Sequence, residues 1–341
     1  MASTQLNEER DDNVSHQGCD FPRSFSSVFR SIKGALLGLG VMSTESPRFG
    51  RVSTAMVTPF DENGALDLDG AATLARYLAA HGSEGLVVAG TTGESPTLTD
   101  PERLALIEVV SGAVTIPVVA GTTTNDTAHS IELTRQAAGL GAAGILAVTP
   151  YYNRPSQAGL AAHFSAVAES TSLPVMLYDI PVRTGRKIAV ETTLALVGRH
   201  TNVVAIKDAS GDLEAAKALI EQAPSSFELY SGDDGLTLGF MSLGGVGVVS
   251  VASNWIGDTI ADCLAAFSRN DLDRAASLDL DLARSYDFET SERWPNPMPA
   301  KAVLRAMGLS VGSCRLPMGP DDAELDAAAA ELVEELGLTR D

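Results

Sequence analysis

Cysteine is scarce in this chain: Cys19, Cys263 and Cys314 stand far apart and none belongs to a CxxC pair. This excludes a disulfide framework and a cysteine-based zinc site, and it fits a reducing, cytoplasmic setting. Histidine is equally thin. His16, His81, His129, His163 and His200 form neither HxH nor HExxH, so no metal is expected and a metal-dependent aldolase or amidohydrolase is disfavoured. Bases are outnumbered, 24 Lys+Arg against 44 Asp+Glu, for a formal net charge of −20. A chain of that sign repels phosphate backbones and anionic bilayers, so neither nucleic acid nor membrane is an expected partner. No GxGxxG follows the first apolar run and no apolar run leads into a GxSxG elbow, which argues against a dinucleotide fold and a serine hydrolase. Long apolar runs are missing too, since Ala35–Val41 is too short to span a bilayer. That run also starts too far from Met1 for a secretory signal, and the acids Glu8, Glu9, Asp11 and Asp12 speak against a transit peptide. Residues 1–45 are therefore expected to be a disordered extension, with Met42 as an alternative start.

What is present from Arg51 onward is alternation. Val52–Val57, Leu86–Ala89, Pro117–Ala120, Ile145–Val148, Pro174–Tyr178, Val203–Ile206, Phe227–Tyr230 and Val246–Val251 are short and apolar, as buried parallel strands are. Amphipathic stretches separate them, several with capping signals such as Asp100 before Pro101-Glu102 and Asp126 before Thr127. Eight strand–helix pairs make an α/β chain with the count of a closed (β/α)8 TIM barrel, placed here at 46–270. Beyond it, 271–341 reads as helical throughout, broken by Pro295, Pro297 and Pro299. This small C-terminal helical domain shows no chemical cluster of its own, so packing or assembly is its expected role.

In such a barrel, chemistry collects where the carboxyl ends of the strands meet the following loops. The sixth strand, Val203–Ile206, is followed there by Lys207, a residue whose hydrated side chain is unusual beside a core strand. A desolvated amine is a nucleophile toward carbonyls; the ordinary alternative is a solvated loop lysine. The second strand leads into Gly90-Thr91-Thr92-Gly93-Glu94-Ser95, a turn whose hydroxyls and amides suit a carboxylate, or else simply start a helix. The fourth strand delivers Tyr151, Tyr152 and Arg154, and the fifth delivers Tyr178 and Arg183. Tyrosine relays protons and arginine grips carboxylates in a fork, although either can simply pack at a rim. All these groups fall at one end of the inferred barrel. Lys207 is also the only lysine at a strand's carboxyl end, because Lys33 lies in the extension, Lys187 follows a loop, and Lys217 and Lys301 sit in helical stretches.

Four motifs carry a resemblance: Gly90-Thr91-Thr92-Gly93-Glu94-Ser95, Pro150-Tyr151-Tyr152-Asn153-Arg154-Pro155, Tyr178-Asp179-Ile180-Pro181-Val182-Arg183-Thr184-Gly185 and Ile206-Lys207-Asp208. In order and spacing the chain resembles the dihydrodipicolinate synthases (4-hydroxy-tetrahydrodipicolinate synthases) from about Val52 to Gly308, in a style most like the actinobacterial branch. Pro297-Met298-Pro299-Ala300-Lys301 is similar to the family as well. The resemblance implies a lyase of diaminopimelate and lysine biosynthesis in which Lys207 forms a Schiff base with pyruvate. The resulting enamine attacks L-aspartate 4-semialdehyde, and no cofactor is implied. It assigns Tyr178 as the proton shuttle hydrogen-bonded to Thr92, and Tyr152 as the relay member that reaches a neighbouring subunit's site. Thr91 and Thr92 would bind the pyruvate carboxylate, Arg183 the semialdehyde carboxylate, and Val249 would contact pyruvate through its backbone. A homotetramer built as a dimer of dimers is implied. Other pyruvate-dependent class I lyases, of the N-acetylneuraminate or sugar-acid type, share the lysine and tyrosine but lack reason for Arg183, and a catalytically silent sensor or scaffold is a further alternative. Ser95, Asn125, His129 and Tyr151 match an allosteric lysine site at a dimer interface, together with Pro96, Asp100 and Arg103. In lysine-sensitive members Asp100 and Arg103 are histidines and His129 is a glutamate, so weak or absent inhibition by lysine is expected.

Overall fold

A computed structural model describes residues 46–339. The expectations for 1–45, including Met42 as a start, lie outside them. Eight strands, β1 Val52–Ala55, β2 Gly85–Val88, β3 Val118–Gly121, β4 Gly144–Val148, β5 Val175–Asp179, β6 Val203–Asp208, β7 Glu228–Ser231 and β8 Gly247–Ser250, pair in sequence order. Every pairing is parallel, and β8 returns to β1, closing the (β/α)8 TIM barrel. The strands are nearly wholly buried because each faces side chains inward and a helix outward.

Strand parity decides what faces the barrel axis. Ala55, Val87, Val119, Leu146, Met176, Ala205 and Val249 form an interior cluster, while Leu177 and Ile206 join the layer beneath the helices. Side chains alternate across a strand, so Tyr178, two past Met176, and Lys207, two past Ala205, also point inward. Phe49 closes the opposite floor. Its ring would lie 2.6 Å from a Cβ at Gly144, the first residue of β4, so only glycine fits there. With the amino-terminal mouth filled, the carboxyl-terminal mouth is left for a ligand.

Eight helices alternate with the strands: α1 Leu68–Ala80, α2 Asp100–Ala113, α3 Thr127–Ala138, α4 Gln157–Glu169, α6 Val190–Arg199, α7 Leu213–Gln222, α8 Thr237–Ser242 and α9 Ser253–Ser268. An additional short α5, Pro181–Thr184, follows β5 in a stretch read from sequence as loop. Proline at its first position presets the helical φ, and Gly185, at φ 70°, ends it in the left-handed region that suits glycine. Asp126 caps α3 by accepting from the amides of Ala128 and His129. For α2 the cap is Thr99, not Asp100: the Thr99 hydroxyl and the Glu102 carboxylate bond each other's backbone amides in a capping box. Burying α4 residues such as Leu160 and Phe164 against the strands contributes about 1.5–3 kcal/mol each.

The C-terminal part is helical in three pieces, α10 Leu272–Phe288, α11 Met298–Ala306 and α12 Ala323–Leu336. The expectation of helix throughout fails over 307–322, which holds turns and extended chain rich in Gly and Pro. α10 packs along α9, and α12 packs on α11 through Leu325, Ala329 and Leu332, a helical stripe. Among the described residues no helix is long and apolar enough to cross a membrane.

Candidate active site

Tyr178 and Lys207 occupy paired register positions on β5 and β6, and both turn inward at the carboxyl end of the barrel. Lys207 is 5% exposed, its Nζ lying 4.5 Å from the centroid of the Tyr178 ring. An ammonium against an aromatic face is held by the ring quadrupole. Above them opens a cavity of about 230 Å³ whose walls include Gly90, Thr91, Ser95, Tyr151, Tyr178 and Arg183. Groups drawn from the ends of β2, β4 and β5 thus meet at one mouth, and Lys207 lies against the ring of Tyr178, one of the lining residues, without lining the cavity itself.

The turn after β2 is tightly built. Glu94 N–H donates to the Thr91 carbonyl and Ser95 N–H to the Gly90 carbonyl, both at 3.1 Å. Ala89 (φ 54°) and Glu94 (φ 53°) adopt the left-handed conformation, which is costly for residues bearing a Cβ and persists where surroundings enforce it. The enforcement at Glu94 comes from the C-terminal segment. Its Oε1 lies 2.7 Å from Nζ of Lys301, whose side chain is fully buried, and its Oε2 accepts from the Arg315 amide at 2.8 Å. Lys301 also donates to the Ser313 carbonyl at 2.9 Å and lies over the Phe60 ring, as does the guanidinium of Arg315. Arg315 additionally bonds the Gly64 and Thr97 carbonyls and the carboxylate of Glu102, which it holds down at about 2. Burial pushes the Lys301 amine down while Glu94 opposes the shift.

The helical tail therefore does reach the chemistry, against the expectation that it served only packing or assembly. Asn296, ahead of α11, donates from Nδ2 to Thr92 Oγ1 at 3.0 Å, and its carbonyl accepts from Arg183 Nη2 at 3.3 Å. Glu289, which caps α10, is flanked by Asp234; burial, reinforced by that neighbouring carboxylate, drives its pKa well up, and Lys207 pulls the other way. Asp234 is fixed by the amides of Val251 and Ala252, at 2.8 and 3.2 Å.

Thr91, Tyr178 and Arg183 line the cavity and Val249 sits in the interior cluster beneath it. Thr92 is buried, and among the described residues its hydroxyl is hydrogen-bonded by Asn296 and not by Tyr178. Tyr152 stands apart: it is 91% exposed, at φ 70°, on the outer surface of this chain. Of the four positions that the resemblance implies are allosteric, Ser95 and Tyr151 share the cavity wall. Arg103 fills the space behind them, donating to Ser95 Oγ at 2.8 Å and to the Gly121 carbonyl at 2.7 Å. His129 pairs with Asp100 at 2.9 Å, and the Asn125 carbonyl accepts from Asn153.

Asp179, Asn296, Glu289 and Asp234 carry no role in the sequence reading. Asp179 neighbours Tyr178, and Asp208 neighbours Lys207, on the opposite strand faces in matching register. Burial raises the pKa of both carboxyls, that of Asp179 to about 7 although the Ile188 amide bonds it. Their only sequence signal is the strand end itself. For Asn296 the signal was at hand, because it immediately precedes the Pro297–Lys301 motif.

The model of the dihydrodipicolinate synthetase family matches residues 48–336. A 4-hydroxy-tetrahydrodipicolinate synthase of Moorella thermoacetica is 50% identical over 292 residues, covering 84% of this chain and 98% of that protein. Among solved structures, a dihydrodipicolinate synthase from Bacillus anthracis superposes with a TM-score of 0.81 at 45% identity, covering 84% of this chain and 98% of that one. One from Cyanidioschyzon merolae with lysine bound gives 0.82 at 43%, covering 86% and 99%.

Proposed function

The chain belongs to the dihydrodipicolinate synthetase family, and we propose on that footing that it condenses pyruvate with L-aspartate 4-semialdehyde, the activity of a 4-hydroxy-tetrahydrodipicolinate synthase. This places it among the lyases of diaminopimelate and lysine biosynthesis. The observation that carries the reading is Lys207, buried and inward at the end of β6 against the ring of Tyr178, which lines a cavity together with Thr91 and Arg183.

In this reading the Lys207 amine attacks C2 of pyruvate, whose carboxylate lies in the turn of Thr91 and Thr92, with backbone of Val249 alongside. The carbinolamine takes a proton from Tyr178, its C2–O bond breaks, water leaves and the nitrogen lone pair forms the iminium. The Tyr178 phenolate then removes a C3 proton, and the C–H electron pair becomes the enamine double bond. That carbon attacks the aldehyde carbon of the semialdehyde, whose carboxylate is held by Arg183, and the new alkoxide is protonated. The semialdehyde's amine finally attacks C2 and displaces Lys207, closing the ring as 4-hydroxy-tetrahydrodipicolinate. The net change is one water released per condensation. Lysine supplies the covalent electron sink, so no cofactor or metal takes part.

The exposure and left-handed backbone of Tyr152 favour a role completed outside its own chain, in the relay of a neighbouring subunit. A homotetramer arranged as a dimer of dimers would provide that neighbour, and the cysteine usage supports a cytoplasmic location. Substrate choice is tested by comparing aspartate semialdehyde with sugar aldehydes in the wild type and in Arg183→Ala. Losing a charge-assisted contact of about 1.5–3 kcal/mol should lower kcat/KM for the semialdehyde roughly 10–150-fold while leaving the enamine step intact. Equal wild-type activity on sugar aldehydes would overturn the assignment.

A further inference from the structure

Asn296 lies 204 positions from Thr92 in sequence, is 8% exposed, and reaches it from outside the barrel. Its amide nitrogen donates to Thr92 Oγ1, while its own Oδ1 is sealed from solvent with no donor. A buried amide oxygen without a partner is destabilising, and an apolar side chain of the same volume would avoid it. Packing therefore gives no reason for an amide here, whereas its donor does have a use. A threonine hydroxyl carries one proton and two lone pairs. When Asn296 fills a lone pair and offers Oγ1 no acceptor, the hydroxyl proton has to be donated elsewhere. Tyr178 is the proton-handling group that the proposed reaction places beside Thr92.

We infer that Asn296 is a positioning residue of the reaction, one that fixes the Thr92 hydroxyl as a donor toward the barrel axis by hydrogen-bonding its oxygen from behind. This rests on the Schiff-base reading above. When Tyr178 gives its proton to the departing hydroxyl of the carbinolamine, the phenolate oxygen gains the Thr92 O–H as a hydrogen bond. When Tyr178 takes the C3 proton back, that bond weakens and Thr92 returns to its starting arrangement. No proton is gained or lost by Asn296. Its backbone carbonyl also holds Arg183, so one residue ties the relay to the carboxylate grip at the mouth.

The test uses pyruvate alone, before any aldehyde is involved. Exchange of the pyruvate C3 hydrogens with D2O, followed by NMR, reports formation of the enamine in the full-length protein. Asn296→Asp keeps the shape but replaces the donor with an acceptor, turning the Thr92 proton away from the barrel. It should slow exchange about 10–100-fold and, because it buries a carboxylate, lower the thermal midpoint, while the protein stays folded and still binds pyruvate at the assay temperature. Because Asn296→Asp also introduces a charge, the effect is measured again in a Thr92→Ala background. There the second substitution should add nothing, since the two residues act as a unit. Exchange by Asn296→Asp within twofold of the wild type, or losses that multiply in the double variant, would overturn the inference. A folding defect is recognised by parallel loss of thermal midpoint and pyruvate binding, and the Thr92→Ala comparison then decides through whether the losses multiply. Absence of exchange in the wild type itself would refute the Schiff-base reading and this inference together.

Discussion

Lys301→Met tests whether the C-terminal segment holds the Gly90–Ser95 turn in place. The substitution keeps the side-chain volume and leaves Glu94 without the cation 2.7 Å away, in a site where the two side chains are 0% and 1% exposed. The Arg315 amide still bonds Oε2, but one amide does not neutralise a buried carboxylate. Removing one member of a buried pair costs about 3–5 kcal/mol, mostly the desolvation of the abandoned charge. The Phe60 contact is retained by methionine in apolar form, so the loss is assigned to the charge and not to packing. Glu94→Gln in the same background removes that charge and should recover part of the loss. Urea denaturation of the three variants and the wild type provides the cycle, with unchanged m-values required for a common unfolded state. Because Glu94 is held at φ 53°, the same substitution should also raise KM for pyruvate through Thr91 and Thr92. A Lys301→Met loss below about 1 kcal/mol, or a second substitution that adds to the damage, would refute the latch.

Three further outcomes follow from the site. Burial gives Asp179 a folded pKa of about 7 against an ordinary 3.8, so the folded state binds the extra proton between those values and stability falls as pH rises through that window. Asp179→Asn should flatten that slope and exceed the wild type in stability at pH 8; equal urea midpoints for the two proteins from pH 4 to 8 would contradict it. Mixing inactive Lys207→Ala with inactive Tyr152→Ala subunits should restore activity if Tyr152 serves a neighbour's site, whereas a mixture as dead as its parts would argue for a self-contained chain. Lysine should leave the initial rate nearly unchanged, because Asp100 engages His129 and Arg103 engages Ser95 where an amino-acid ligand needs them; strong inhibition at low concentration would refute this.

Much of the barrel was legible because buried parallel strands are short apolar runs and their count is diagnostic. The same parity that buries Met176 and Ala205 turns Tyr178 and Lys207 inward, so the core of the site could be placed from the strand ends. The α2 cap stayed open between Thr99 and Asp100 because both are good cap residues before a proline, and only the reciprocal bonds of Thr99 with Glu102 decide between them. Contacts spanning most of the chain were not legible at all. Asn296 to Thr92 and Lys301 to Glu94 depend on how the tail folds back over the second strand's loop, which no local pattern encodes. The resemblance implies Tyr178 as the relay partner of Thr92, and the second partner of that hydroxyl, Asn296, comes from the far end of the sequence.

The claim on which the rest depends is that Lys207 bonds covalently to pyruvate. Incubation with pyruvate and borohydride, followed by peptide mass mapping, addresses it directly. The account predicts a reduced pyruvate adduct on Lys207 that requires pyruvate and disappears in Lys207→Ala. An unmodified Lys207 in active enzyme, or an adduct of equal yield on another lysine, would contradict it.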